Sequence, residues 1–98
     1  GSSKHMAYAA SRAAMENLVL SMSRQLAQAI KVNAIAPALL MFNDGDDAQY
    51  RQKALKKSLM QCEPGSQEVV NTINYLLASQ YITGRVLALD GGRHLNFP

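Results

Sequence analysis

With 98 residues, 48% of them hydrophobic, and a net charge of +3, the chain has the make-up of one small globular domain, not of a multidomain protein or a disordered polyion. Cys62 is the only cysteine, so no disulfide can form within the chain, which fits a reducing, cytoplasmic setting. No apolar run approaches the ~20 residues of a membrane span and no secretory leader is legible, so no membrane association is expected.

Residues 5–30 read as one long helix, because the stretch holds no Gly or Pro. Its apolar positions Met15, Leu18, Val19, Met22, Leu26 and Ile30 recur at threes and fours. Alanines at 7, 9, 10, 13 and 14 keep its first half narrow. The apolar stripe is wide enough to predict two buried faces, one against a sheet and one against a partner subunit. Tyr8 and Arg12 are one turn apart on this helix, hence on one face. A cation beside a phenol favours the phenolate, which makes Tyr8 a usable general acid for carbonyl or imine reduction. The same spacing also suits an ordinary solvated helix face, and taken alone it leaves both readings open.

Residues 32–36 follow as a short apolar strand, stopped by Pro37 and expected to be buried on both faces of a parallel sheet. The polar turn 43–47 offers Asp46 or Asp47 as the cap of a second helix, predicted over 48–60. Lys53, Lys56 and Lys57 cluster there without interleaved aromatics, so the face reads as solvated and no nucleic-acid partner is expected. Pro64 and Gly65 break the helix. Ser66 is the expected cap of a third helix, with Val69, Val70, Ile73, Leu76 and Leu77 as its stripe. Gly84 suits a turn with positive φ. A second buried strand is expected over 85–89, closed by Asp90, Gly91 and Gly92. His5 and His94 stand isolated in the sequence and read as solvated. The order helix, strand, helix, helix, strand predicts an α/β fold with a right-handed parallel crossover. Phosphate-binding glycine loops and metal-ligand spacings are absent from the sequence.

Four motifs in register carry a resemblance: Tyr8-x-x-x-Arg12, Val32-Asn33-Ala34-Ile35-Ala36-Pro37, Ile82-Thr83-Gly84 and Asp90-Gly91-Gly92. Together they resemble the C-terminal half of a short-chain dehydrogenase/reductase, across essentially the entire chain. Phe42-Asn43, Tyr50-Arg51-Gln52, residues 57–60 and residues 90–95 are most similar to the pterin reductases of that family. The resemblance implies the C-terminal half of a Rossmann-type doubly wound parallel sheet, with the N-terminal cofactor-binding half absent. It implies NADPH as cofactor and reduction of a dihydropterin to the tetrahydro form, with dihydrofolate as a side substrate.

By the same resemblance, Tyr8 is the catalytic tyrosine. Arg12 stands where the family usually has a lysine that binds the nicotinamide ribose and tunes the tyrosine. Cofactor binding falls on Tyr8, Arg12, Pro37, Ala38, Leu39 and Leu40. Pro37, Ala38 and Leu39 belong to the loop that holds the nicotinamide carboxamide, and Ala38 replaces a frequent Gly. Residues 40–60 correspond to a mobile segment over the substrate. The catalytic serine and its supporting asparagine would lie upstream. Arginine keeps the charge but cannot give up its proton, so altered catalysis is expected, and a lone chain of this length is expected to be inactive. The first strand would have an open edge, and the expected assembly is a homo-oligomer, dimer or tetramer. Two alternatives remain: another reductase of the family, such as one acting on 3-oxoacyl thioesters, and a non-catalytic interaction module.

Overall fold

The computed structural model of the chain describes residues 2–96, the side chains at positions 2 and 4 excepted. The elements run α1 (Ser2–Leu26), β1 (Ala34–Pro37), α2 (Ala48–Leu55), α3 (Gln67–Ala78), β2 (Val86–Leu89) and a short 3-10 turn (Arg93–Leu95). This is the expected order. The two strands pair in one sheet. Ala34 N–H donates to Arg85 O and Ala38 N–H to Leu89 O, so partner numbers rise together and the pairing is parallel. The chain divides into two compact units: residues up to Ala34 with Ser79–Leu87, and Ile35–Ala78 with the residues from Ala88 on.

In the first unit, α1 stops at Leu26, short of the expected Ile30. The amides of Ala29 and Ile30 both turn back to Leu26 O, at 2.8 and 2.7 Å. The chain then leaves the helix axis to bring Val32 beside residues 83–84, a tertiary demand that helix propensity does not encode. A polar knot forms there. Val32 N–H donates to Thr83 Oγ1 at 3.0 Å, and Gly84 N–H donates to Val32 O at 2.8 Å. Asn33 bridges the same two segments, its Nδ2 donating to Ile82 O and its Oδ1 accepting from Arg85 N–H, each at 3.0 Å. These side chains take the place of ladder bonds, so β1 begins at Ala34 and β2 at Val86 instead of Val32 and Arg85. Ser23 lies beneath, its Oγ 2.5 Å from Val19 O and 3.0 Å from Val32 O; its single proton serves one carbonyl at a time. Gly84 has φ +77°, a backbone conformation that favours glycine, while a Cβ there would meet Ser23 Oγ only at contact distance, 3.4 Å. Val19 and Ser23 are the buried residues of α1, whereas Leu18 remains 57% exposed. Within a single chain α1 therefore buries one narrow line instead of two faces. In β1 only Ala36 is buried, so the strand is not enclosed on both sides as its apolar run predicts.

In the second unit, Asp47 caps α2, its Oδ1 accepting from Tyr50 N–H at 2.7 Å. Asp46 instead accepts from Asn43 N–H at 2.9 Å. Arg51 steadies this turn, with Nη2 donating to Asn43 O, Nε to Asp46 O, and the guanidinium 5.3 Å from the Phe42 ring centre. The helix ends at Leu55, five residues before the expected Met60. The amides of Lys57 and Ser58 each reach back three residues, tightening the chain into turns, and Gln61 takes the left-handed conformation at φ +50°. At α3, Ser66 receives the Val69 and Val70 amides on its carbonyl. The expected cap through its hydroxyl is not made among the described residues.

Candidate functional site

Two groups of residues meet the requirements of a site, and they fall in different units. The first is the pair on α1. Arg12 Nη1 donates to Tyr8 Oη at 3.2 Å, as the one-turn spacing predicts. Tyr8 is 61% exposed, so its hydroxyl is open to a reactant. Glu16, a further turn along, places Oε1 3.6 Å from Arg12 Nε, an ion pair too long for a hydrogen bond. The Nε proton is buried and lacks a hydrogen-bond partner among the described residues.

The second group surrounds a cavity of about 360 Å³ within the second unit, whose walls include Leu39, Ala54, Met60, Leu89, Lys57 and Glu68. That volume lies within the range of small-molecule sites, about 300–1,000 Å³. Of the three residues assigned to the nicotinamide loop, Ala38 and Leu39 line it. Pro37 is the last residue of β1 and carries no N–H. Ala38 N–H is engaged by Leu89 O, and Leu40 O by Gly65 N–H. Leu39 keeps both backbone groups free of hydrogen bonds among the described residues.

Asp90, Gly91 and Gly92 form the turn after β2 and also line the cavity. Asp90 Oδ1 accepts from Gly92 N–H at 3.0 Å, and Oδ2 lies 3.1 Å from His94 Nδ1. His94 is therefore paired and not isolated. Desolvation tends to raise the Asp90 pKa, but the hydrogen bonds from Gly92 and His94 and the His94 charge outweigh it and hold the carboxyl below its ordinary value. Sequence reasoning missed this pair, although an Asp and a His four residues apart across a double glycine carried a signal. It also missed the walls at Ala54, Met60 and Glu68, which depend on contacts remote in sequence.

The chain matches the enoyl-(acyl carrier protein) reductase family model over residues 1–94. It is 59% identical over 95 residues to the dihydromonapterin reductase of Citrobacter koseri, covering 97% of this chain and 40% of that protein. Identity to the dihydromonapterin reductase of an Enterobacter species is 60% over 96 residues, with 98% and 40% covered. The chain thus spans about 40% of the length of these curated relatives. Among solved structures, FolM alternative dihydrofolate reductase 1 from Brucella suis, in complex with NADP, superposes with a TM-score of 0.80 at 32% identity, covering 93% of this chain and 37% of that one. Matched by the family model over nearly its whole length, the chain belongs to the short-chain dehydrogenase/reductase family.

Proposed function

We propose that the chain works in the NADPH-dependent reduction of a dihydropterin, dihydromonapterin first and dihydrofolate second, as the C-terminal half of a short-chain reductase domain. The observation that carries this reading is the Tyr8 hydroxyl held 3.2 Å from the Arg12 guanidinium on an exposed helix face. The high identity to dihydromonapterin reductases supports the substrate class.

Reducing the C=N bond of a dihydropterin adds a hydride to carbon and a proton to nitrogen. NADPH, when bound, supplies the hydride and leaves as NADP⁺. The residues present fit that cofactor: the Arg12 guanidinium, already donating to the exposed Tyr8 hydroxyl, carries further N–H groups suited to a ribose hydroxyl. Tyr8 gives its hydroxyl proton to the pterin nitrogen. Arg12 stabilises the phenolate left behind and, staying charged, cannot reprotonate it, so the replacement proton comes from water. Within the second unit, the apolar walls of the cavity suit the flat face of a pterin ring.

Oxidation of NADPH by the full-length reductase that carries this half, followed at the nicotinamide absorbance band with dihydromonapterin, tests this. Tyr8→Phe should lower kcat by about 10²–10⁴, with NADPH binding unchanged. Full kcat in Tyr8→Phe would show that the proton comes from elsewhere. The family description names a reductase of enoyl thioesters, which keeps acyl-thioester substrates as the second reading, and faster turnover of an enoyl or 3-oxoacyl thioester than of the pterin would establish it.

The exposed face of α1, which includes Ala14, Leu18 and Met22, is read as the contact with a second copy in a cytoplasmic homo-oligomer. Sedimentation velocity should show a dimer or tetramer, and a monomer at high concentration would refute that assembly.

A further inference from the structure

The wall of the cavity at residues 56–60 is neither helix nor strand. Its backbone is held instead by the chain beyond β2. Met60 N–H donates to Gly91 O at 3.0 Å. Asn96 Nδ2 donates to Lys56 O at 2.8 Å, across 40 residues of sequence. Between these two bonds, Ser58 and Leu59 lie against a glycine pair. A Cβ at Gly91 would stand 3.2 Å from Ser58 Oγ, and one at Gly92 3.3 Å from both Cβ and Cδ1 of Leu59. Both glycines have positive φ, +58° and +83°, so a side chain there is opposed by backbone and by space. Gln61 closes the segment at φ +50°, a conformation that a residue with a side chain adopts at a cost. Its amide donates to Ser58 Oγ at 3.2 Å, which ties the turn to the residue packed on Gly91. Ser58, Met60, Gly91 and Gly92 all line the cavity, so the contact that holds the segment is itself the wall.

From this arrangement we propose that Asn96 and Gly92 are positioning residues, which clasp segment 56–60 against the turn after β2 and so set the wall of the substrate cavity. The clasp is read from geometry alone. Its consequence for substrate rests on the reading of the cavity as the pterin site. Neither residue touches the reacting atoms; each acts through residues 56–60.

Hydrogen–deuterium exchange on the protein, read at the Met60 amide, tests the clasp without any ligand. Asn96→Ala removes one hydrogen bond and should speed exchange there by roughly 2- to 10-fold, with α3 amides unchanged. Asn96→Asp keeps the shape but loses the donor, and should behave like Asn96→Ala. Wild-type exchange at Met60 in Asn96→Asp would overturn the proposal, as would equal acceleration throughout α3, which would make Asn96 a residue of general stability. Gly92→Ala forces an unfavourable φ and crowds Leu59, opening the clasp by roughly 5- to 30-fold. In the full-length reductase, Asn96→Ala, at a residue outside the cavity lining, should then raise KM for dihydropterin, because only the clasped fraction is competent to bind, while kcat at saturation and NADPH affinity stay put. Faster exchange with an unchanged pterin KM would leave the clasp standing and remove the pterin from the cavity.

Discussion

The Tyr8–Arg12 pair and the cavity make opposite demands on the chain. The pair needs only a helix, since its two members are four residues apart and any α-helix brings them together. The cavity needs contacts between segments far apart in sequence, such as Lys56 with Asn96, and it needs two glycines to let those segments meet. On the proposed reading, proton chemistry falls to a local device and recognition to a tertiary one. A variant on α1 should change what the protein does to a bound substrate. A variant in the 90–96 turn should change whether the substrate is held.

The largest expected effect belongs to the local device. The loss of kcat in Tyr8→Phe, about 10²–10⁴, corresponds to about 3–5 kcal/mol of transition-state stabilisation. A smaller effect, on stability instead of rate, is expected at the knot of the first unit. Asn33→Ala leaves Ile82 O and Arg85 N–H without partners and should cost about 1–3 kcal/mol in urea unfolding. A cost near zero would mean that water replaces the side chain and that the knot does not fix the start of the sheet.

The smallest effect concerns pH and sharpens the second half of the comparison. The Asp90 carboxyl is more acidic in the folded chain than its ordinary value, through its bonds with Gly92 and His94. Its contribution is complete above the unfolded carboxyl pKa of about 3.9 and is lost as pH falls through the lower folded value. Thermal unfolding between neutral pH and about pH 3 should thus show a slight acid destabilisation that Asp90→Asn removes. An identical pH dependence in the two proteins would detach the Asp90–His94 pair from the stability of the turn.

How far each feature could be read in advance follows the same division. Spacing alone put Tyr8 beside Arg12, and the apolar runs placed both strands and their parallel pairing. Gly84 declared its positive φ, and Asp47 its cap. The ends of elements were less legible. Helix α1 stops before Ile30 and α2 before Met60 because Val32 and Met60 are claimed by partners at Gly84 and Gly91, and nothing in the local sequence announces those partners. Asn33 and Thr83 stood out as motif residues, yet their work is to replace ladder bonds with side-chain acceptors and donors, visible only once the two segments are side by side. The bonds of Ala38 N–H to Leu89 O and of Gly65 N–H to Leu40 O were hidden in the same way, because each partner lies far along the chain.

The most direct test of this division of labour is a paired kinetic measurement of NADPH oxidation with dihydromonapterin by the full-length reductase. Tyr8→Phe should lose kcat with pterin KM within about twofold of wild type, while Asn96→Ala should raise pterin KM and keep kcat. If both variants instead lose kcat with KM unmoved, the tertiary device serves the chemistry and not the recognition, and the separation of the two roles is wrong.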